Sequence, residues 1–230
     1  MTALHLRPST QVAADALLPG DPGRALALAQ LLLVKPEMSN HARGLWGYTG
    51  ETPAGDRLTV QATGMGGPSA AIVVTELAEL GTRRAVRVGT CGALDPALGL
   101  GDLLVATAAI SADGASSRLG ANGRAEPDPS LTAALEVEGA APVLAVSTDL
   151  FYEPDEGEPR RWRELGAGAV EMEAATVFAL GARLGLATAC LLVVSDVFED
   201  GQRRRIADED LAEAAERMGR AGAAALAATR

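Results

Sequence analysis

The sequence predicts an α/β fold that covers residues 1–230 as a single domain, with helices on both faces of a largely parallel sheet. Segments typical of strands and of helices alternate along the chain, and this order favours parallel strands joined by helical crossovers. Two continuous apolar runs, "APVLAVSTD" and "TACLLVVSD", are typical of strands buried on both faces. With 48% hydrophobic residues, no internal repeat and no linker-like change in composition, the chain can build one sizeable core.

Turn residues and apolar periodicity define the elements of the first half of the chain. A short strand over residues 16–18 meets a Pro/Gly turn, and a helix follows over residues 23–33. The segment "LWGYTGETPAGDRLTVQATG" predicts a hairpin that turns at residues 54–56. Pro68 lies in the first turn of the next helix and Gly81 ends it. A β-rich run, "RAVRVGTCGAL", then ends in a glycine turn.

The second half continues the same alternation. "DLLVATAAI" is a predicted strand, whereas residues 111–128, "SADGASSRLGANGRAEPD", are the most loop-like stretch of the chain. The helix predicted over Ala174–Leu184 is apolar on almost every face, so we expect it to be buried. An Ala-rich amphipathic helix is predicted over residues 207–228.

The charge of the chain restricts its partners. A net charge of -10 argues against a general nucleic-acid binder, which would present a basic surface. A small anionic ligand is not excluded, because a few local arginines can bind a phosphate on an acidic protein. Lys35 is the only lysine, so arginine is the default base in this sequence.

The cysteines and the N-terminus bear on location. Cys91 and Cys190 are far apart in sequence and match neither a disulfide framework nor a metal-binding spacing, which suits a reducing compartment. No apolar run reaches the length of a membrane span, and the first nine residues lack the apolar core of a signal peptide. We therefore expect a soluble cytoplasmic protein with no membrane association.

Two predicted strand ends carry groups that suit an anion. In "PGDPGR", Gly20 and its neighbours expose backbone N–H groups at a helix start and Arg24 adds guanidinium donors, although a turn with a solvated arginine fits the pattern too. Arg87 lies in a predicted buried strand ahead of Thr90, Cys91 and Gly92 in the turn. A buried arginine needs an anionic partner, which is either a ligand or a structural salt bridge.

Acidic groups stand at two other positions. Glu171 and Glu173 precede the buried helix, where two ionised carboxylates are costly unless something pairs with them. Ser195 and Asp196 end the buried strand "TACLLVVSD", and an aspartate there can cap a helix or face a ligand. Ligands of such sheets bind beyond the carboxyl ends of strands. The "PGDPGR" loop, the turn after Arg87, the glycine-rich helix entry "GMGGPS" and the Ser195–Asp196 strand end are therefore the candidates for one site, whereas the partner of Glu171 and Glu173 stays open at this point.

The motifs together resemble a known family. "LLPGDPGR", "ARGLWGYTG", "TGMGGPS", "RVGTCGAL", "STDLFY", "VEMEAA" and "VVSD" occur in the order and approximate spacing of the hexameric nucleoside phosphorylases, which are the bacterial purine nucleoside phosphorylases and their uridine phosphorylase relatives. The resemblance runs from about His5 to Asp196, and the C-terminal helix matches only in kind. It implies one α/β domain around a mixed, partly barrel-like sheet, in subunits that form a trimer of dimers.

The resemblance also implies a reaction, namely reversible phosphorolysis of a nucleoside to a free base and a pentose 1-phosphate. Inorganic phosphate is then a co-substrate, and neither a cofactor nor a metal is required. Asp196 would be the acid that protonates the departing purine at N7, which requires a raised pKa of the kind that burial supplies. Arg203, Arg204 or Arg205 would assist it. Arg87 would neutralise the attacking phosphate.

The family motifs assign the remaining contacts residue by residue. Arg43 would reach the phosphate of the neighbouring subunit, and His5 would reach the nucleoside 5'-hydroxyl there. Glu173 would accept hydrogen bonds from the ribose hydroxyls, and Met172 would pack beneath the sugar. The implied phosphate ligands are Gly20, Arg24, Arg43, Arg87 and Thr90, and the implied nucleoside contacts are His5, Cys91, Gly92, Phe151, Val170, Glu171, Met172, Glu173, Ser195 and Asp196.

Other functions remain open at this stage. Uridine phosphorylases follow the "FY" element with a glutamine and an arginine, whereas this chain has Glu153, Asp155 and Glu156 there, so purines are favoured. "TGMGGPS" and the "DG" after "AAISA" resemble the uridine branch instead. Related nucleosidases use water and lack the "PGDPxR" loop. A non-catalytic nucleoside-binding or storage protein would leave the phosphate arginines and Asp196 without a joint purpose.

Overall fold

The computed structural model describes residues 3–199 and 202–230, and these form one mixed 11-stranded sheet with helices on both faces. The strands are β1 (Asp15–Pro19), β2 (Val34–Asn40), β3 (Gly47–Glu51), β4 (Arg57–Gln61), β5 (Arg84–Ala93), β6 (Leu103–Ala112), β7 (Arg124–Ala125), β8 (Ala141–Thr148), β9 (Ala169–Glu171), β10 (Ala187–Glu199) and β11 (Gln202–Arg205). The helices are α1 (Pro22–Leu32), α2 (Gly67–Leu80), α3 (Gly114–Arg118), α4 (Pro129–Val137), α5 (Glu158–Glu164), α6 (Ala174–Leu184) and α7 (Asp208–Ala228).

Part of the sheet closes on itself. The long strand β10 pairs in parallel with β5 and antiparallel with β6, and β8 and β9 complete the ring between β6 and β5. Strands β1, β4, β3 and β2 extend outward from β5 as an open sheet. The predicted fold class, an α/β fold with a mixed, partly barrel-like sheet, is confirmed. The largely parallel sheet expected from the alternation of elements is wrong, because β2, β3 and β4 pair as antiparallel neighbours and β10 pairs antiparallel with both β6 and β11.

The two faces of the sheet carry separate apolar cores. Helices α2 and α6 bury Val73, Leu77 and Phe178 against one face. Helices α1, α4 and α7 pack on the other, where a Cβ at Gly222 would lie 2.9 Å from Leu17 Cδ2, so glycine lets α7 approach the sheet closely. None of the described helices combines the length and the apolar character needed to cross a bilayer.

The prediction of a loop over residues 111–128 is wrong in part. Strand β6 extends into this segment as far as Ala112, and α3 and β7 both lie inside it. Asp113 explains the short helix. Its carboxylate caps α3 by accepting from Ser116 N at 2.9 Å, and it also accepts from Thr176 Oγ1 on α6 at 2.8 Å. A buried cap therefore orders a stretch whose Gly, Ser and Asp residues are typical of loops.

The glycine turn predicted after Arg87 is also wrong, because β5 continues through Thr90, Cys91 and Gly92. Glycine serves another purpose there. A Cβ at Gly89 would lie 2.9 Å from Arg87 Nη2, so the absence of a side chain gives the guanidinium its room. Strands β2, β9 and β11 and helices α4 and α5 have no counterpart among the predicted elements.

Candidate functional site

A cavity of about 420 Å³ opens where β1, β5, β9 and β10 meet. It gathers candidate residues from segments that are distant in sequence, as expected for the carboxyl ends of parallel strands. The predicted residues that line it are Gly20, Arg24, Arg87, Thr90, Cys91, Gly92, Phe151, Val170, Glu171, Met172, Glu173, Ser195 and Asp196.

The turn after β1 presents Arg24 to this cavity. Asp21 caps α1, and its Oδ1 accepts from Arg24 N at 2.7 Å, which fixes the start of the helix. Burial lowers the pKa of the Arg24 guanidinium; the Asp21 carboxylate opposes this shift, whereas the positive charge of Arg87 adds to it. Two guanidinium groups line the same cavity beside the start of α1, which is an arrangement that favours an anion.

Arg87 is buried in β5, with only 4% of its surface exposed. Its Nε donates to Glu171 Oε2 at 3.2 Å, and its Nη2 donates to Glu173. Burial alone would lower the pKa of Arg87, but Glu173 and Glu171 raise it above its ordinary value, so the guanidinium stays charged. Its Nη1 has no hydrogen-bond partner among the described residues, and a Cβ at Gly20 would lie 4.0 Å from it.

Glu171 uses its carboxylate on protein donors. Besides Arg87 it accepts from the Ser147 hydroxyl, from Glu173 N at 2.8 Å and from Ala174 N at 2.9 Å. Glu171 is only 4% exposed, and these hydrogen bonds stabilise its buried charge and fix the start of α6. Glu171 lines the cavity, but its carboxylate is bonded to Arg87 and to the backbone N–H groups at the start of α6.

Glu173 differs from its neighbour because it has fewer protein donors. Its Oε1 accepts from Gly66 N and its Oε2 accepts from Arg87 Nη2. Burial and the charge of Glu171 raise its pKa, although Arg87 opposes them. The Gly66 contact ties Glu173 to the "GMGG" loop, in which Gly64 and Gly66 have φ values of 74° and 84° that favour glycine.

Asp196 does not end its strand as predicted, because β10 continues beyond it to Glu199. The pairing of β10 with β5 shifts between Val194 and Asp196, and such a bulge redirects side chains next to sites. Oδ2 of Asp196 accepts from Ser195 Oγ at 2.6 Å, and Oδ1 accepts from Arg203 Nε at 2.9 Å.

These bonds decide the charge of Asp196. Burial raises its pKa, but the hydrogen bonds from Arg203 and Ser195 and the nearby Arg205 outweigh burial and hold the pKa below its ordinary value. The expectation of a raised pKa is therefore wrong for the chain on its own. Asp196 is a carboxylate here, and the reason is its arginine partner.

The strand register explains which of the three candidate arginines lies at the site. In the antiparallel pair β10–β11, Asp196 is opposite Arg205 and Phe198 is opposite Arg203. Side chains directly opposite each other share a face, as do alternate residues of one strand, so Asp196, Phe198, Arg203 and Arg205 share one face while Arg204 is on the other. Arg203 lines the cavity, and Arg205 Nη1 lies 3.8 Å from Asp196 Oδ1.

An aromatic group closes the outer side of the cavity. Phe151 is half exposed, its ring packs edge-on against Tyr152 with centroids 5.0 Å apart, and Arg203 Cζ lies 4.5 Å from its centroid. The cation therefore bridges the aromatic ring and Asp196. Arg203, one of the three candidate arginines, also lines the cavity. The lining residues that the sequence did not single out are Asp21, Pro22, Gly64, Met65, Gly89, Thr148, Leu150 and Phe198.

His5 and Arg43 are not part of this cavity. They line a second one of about 370 Å³ together with Leu4, Arg7, Asn40, His41 and Ala42. Arg43 is exposed and has a left-handed backbone with φ of 58°, which is uncommon for a residue other than glycine. Within one chain, the structure thus separates these two predicted residues from the other candidates and groups them with each other.

Comparison with known proteins identifies relatives over most of the chain. A model of the phosphorylase superfamily matches residues 15–229. The chain is 37% identical over 204 residues to the purine nucleoside phosphorylase DeoD-type of Caldanaerobacter subterraneus subsp. tengcongensis, covering 83% of this chain and 86% of the relative. It is 38% identical over 212 residues to the protein of the same name from Geobacillus kaustophilus, covering 87% of this chain and 88% of the relative.

Proposed function

The chain belongs to the phosphorylase superfamily, and we propose that it catalyses the reversible phosphorolysis of purine nucleosides to a free base and a pentose 1-phosphate. The observation that carries the proposal is the convergence of Arg24 and Arg87 beside the Gly20 turn. Arg87 keeps an unpartnered buried donor there, which a phosphate oxygen would satisfy. The domain is proposed to span residues 1–230, of which residues 1–2 and 200–201 lie outside the described part.

The proposed phosphate site combines charge with fixed geometry. Arg24 and Arg87 supply guanidinium donors, Gly20 supplies close access to the backbone, and Thr90 supplies a hydroxyl. Because Arg87 is held on one side by Glu171 and Glu173, its remaining donor faces the ligand without freedom to turn away. A phosphate held in this way stays anionic, since arginine does not give up its proton at neutral pH.

The proposed chemistry forms one bond and breaks another. A phosphate oxygen bonds to C1' as the C1'–N9 bond breaks, and the electron pair of that bond leaves with the base. Positive charge that develops on the sugar is stabilised by the phosphate dianion and by Glu173, which accepts from the ribose hydroxyls. Met172 packs beneath the sugar, and Phe151, Cys91, Gly92 and Val170 surround the base.

Asp196 is the proposed acid for N7 of the departing purine, with Arg203 and Ser195 holding its carboxylate. Because Asp196 is charged in the chain on its own, it has to take up a proton from the solvent when the nucleoside binds. A base packed against the carboxyl group excludes water, and an N7 acceptor favours the protonated acid, so both raise the pKa. Neither a cofactor nor a metal has a role in these steps.

The proposal predicts that base release depends on phosphate. Inosine, adenosine, guanosine and uridine are each incubated with and without phosphate, with arsenate as a second acceptor, and free base is measured by chromatography. We expect release from purine nucleosides only when phosphate or arsenate is present. Arg24→Gln, which keeps the α1 cap but removes the cation, should raise the KM for phosphate more than the KM for nucleoside.

Each alternative gives a different result in the same assay. Equal rates without phosphate would indicate a nucleosidase, and uridine as the preferred substrate would indicate a uridine phosphorylase. Binding of nucleoside without release of base under any condition would indicate a storage or binding protein. Glu153, Asp155 and Glu156, which follow the "FY" element where uridine phosphorylases have a glutamine and an arginine, are not among the described residues that line the cavity.

The proposal includes assembly as a homo-oligomer, a hexamer arranged as a trimer of dimers, in which subunits complete each other's sites. His5 and Arg43 lie together in the second cavity, apart from the other candidates, which supports a role toward a neighbour's nucleoside and phosphate. No nucleic acid or membrane is a proposed partner. A cytoplasmic location stays a prediction.

Shared sites predict rescue between two defective proteins. Arg43→Ala removes a donor given to a neighbour, whereas Glu173→Ala removes an acceptor within the chain's own site, so each variant should be nearly inactive alone. After mixing, dissociation and reassembly, some sites contain neither change, and we expect phosphorolysis to return to a measurable fraction of the wild-type rate. No rescue, with subunit exchange verified by tagged subunits, would contradict shared sites.

A further inference from the structure

Glu76 is a buried carboxylate outside the main cavity that gathers the N-terminal segment onto α2. Its residue is 8% exposed. It accepts from Leu4 N at 3.0 Å, from His5 N at 3.0 Å and from Leu6 N at 2.6 Å, and His5 Nδ1 lies 2.7 Å from its Oε1. A single side chain on a rigid helix therefore fixes three consecutive backbone N–H groups and one imidazole.

These contacts determine that Nδ1 of His5 carries a proton. Although burial raises its pKa, the hydrogen bonds from Leu6, His5 and Leu4 lower the pKa of Glu76 to about 2, so the side chain is ionised and can only accept. His5 Nδ1 must then be the donor in their contact. In a neutral imidazole this leaves Nε2 as an acceptor on the side of the ring away from Glu76.

The surroundings show where the imidazole is presented. The His5 side chain is 33% exposed, and it lines the second cavity together with Arg43. Glu76 lies on α2, and its helix neighbours Val73 and Leu77 are buried in the core. The position of the Glu76 backbone is therefore fixed by core packing.

We propose that Glu76 is a positioning residue that holds His5 with Nδ1 protonated and Nε2 presented to the 5'-hydroxyl of the nucleoside in the neighbouring subunit's site. This inference rests on the proposed function, and it adds the group that determines recognition of the 5' position. Glu76 itself does not touch the substrate. It acts by fixing both the place and the tautomer of His5.

The test is Glu76→Gln, which keeps the volume of the side chain. Both carboxylate oxygens accept from backbone N–H groups, so the amide nitrogen of glutamine must face an N–H donor whichever way the side chain is turned. The substitution therefore breaks part of the contact that holds the His5 segment on α2. The measurement compares kcat/KM on inosine with kcat/KM on 5'-deoxyinosine, which lacks the hydroxyl. We expect the preference for inosine to fall roughly threefold to tenfold, the value of one hydrogen bond, with little change on 5'-deoxyinosine.

Two further variants separate positioning from a general loss of structure. His5→Ala should lose the same preference, and the double variant should lose no more than either single change because both act on one contact. Glu79→Gln, on the same helix but exposed, should leave the preference at its wild-type value. If Glu76→Gln fails to fold, Glu76→Asp keeps the charge with a shorter reach and should give a smaller loss of the same preference.

Equal losses on both substrates, or additive losses in the double variant, would overturn the positioning role. Wild-type phosphorolysis that shows no preference for inosine over 5'-deoxyinosine would overturn it as well, while leaving the proposed function intact. Absence of any phosphorolysis by the wild type would remove the proposed function and this inference together.

Discussion

Replacing Asp196 with asparagine is expected to lower kcat on inosine by roughly 10²–10⁴-fold, the usual cost of removing a general acid. Asparagine keeps the shape of the side chain and a partner for Ser195, but its amide is not acidic enough to transfer a proton to N7. The loss should appear in kcat more than in KM, because the proton is needed only as the base departs. Steady-state kinetics of the wild type and of Asp196→Asn measure this effect.

The control substrate is 7-methylinosine, whose base is already cationic and leaves without a proton. The ratio of mutant to wild-type kcat should be much closer to unity on 7-methylinosine than on inosine. Equal losses on the two substrates would mean that Asp196 binds the base or supports the structure without acting as an acid. A uridine phosphorylase would show no such rescue, since uracil has no N7.

The charge of Asp196 gives this mechanism a second observable. Arg203 and Ser195 hold its pKa below the ordinary value, so the acid form has to be created when the nucleoside binds. Binding of inosine should therefore take up about one proton at neutral pH in the wild type, and none in Asp196→Asn. Calorimetry in buffers of different ionisation enthalpy measures the uptake. Equal uptake by both proteins would place the proton on another group.

Sequence patterns predicted the parts of this fold that depend on local chemistry. The buried strands, the α6 helix and the hairpin between β3 and β4 follow from apolar periodicity and turn residues. Short elements were missed because tertiary contacts create them: α3 depends on the Asp113 cap and its bond to Thr176, and β9 exists through pairing with β5 and β8. Glycines at 89 and 92 suggested a turn, whereas close packing of Arg87 accounts for the first of them.

The sequence predicted most of the residues that line the candidate site, but not which of their side chains contact each other. Family motifs identified most of the residues that line the cavity, whereas the pairing of Glu171 and Glu173 with Arg87 depends on β9 and the start of α6 meeting β5. The choice of Arg203 depends on the register of β11, which no single-residue pattern specifies. The role of Glu76 could not be predicted from the sequence, because its partners are backbone N–H groups and the His5 imidazole of a distant segment.

The arginine and its two acids yield the largest expected change in stability. Arg87→Met should lower the free energy of unfolding by about 3–5 kcal/mol at pH 7, since removing one partner leaves buried carboxylates uncompensated. Glu171 keeps its bonds from Ser147, Glu173 N and Ala174 N, so the unmet charge is mainly that of Glu173, which retains Gly66 N. Urea unfolding at matched protein concentration measures the loss, and phosphate-dependent turnover should be lost with it.

The pH dependence tells whether an unpaired charge is the cause. Burial and the charge of Glu171 already raise the pKa of Glu173, and loss of Arg87 removes the group that opposes them. A carboxyl group whose folded pKa is raised contributes stability below its unfolded pKa, and that contribution is lost as pH rises through the folded value. The loss in free energy of unfolding caused by Arg87→Met should therefore be smaller at pH 5 than at pH 7, and adding Glu173→Gln should recover much of it at pH 7.

The control is Arg160→Met, which breaks an exposed pair with Glu164 and should change the free energy of unfolding little at either pH. A deficit that is the same at both pH values and insensitive to Glu173→Gln would mean that lost packing around the Arg87 side chain, and not charge, sets the cost.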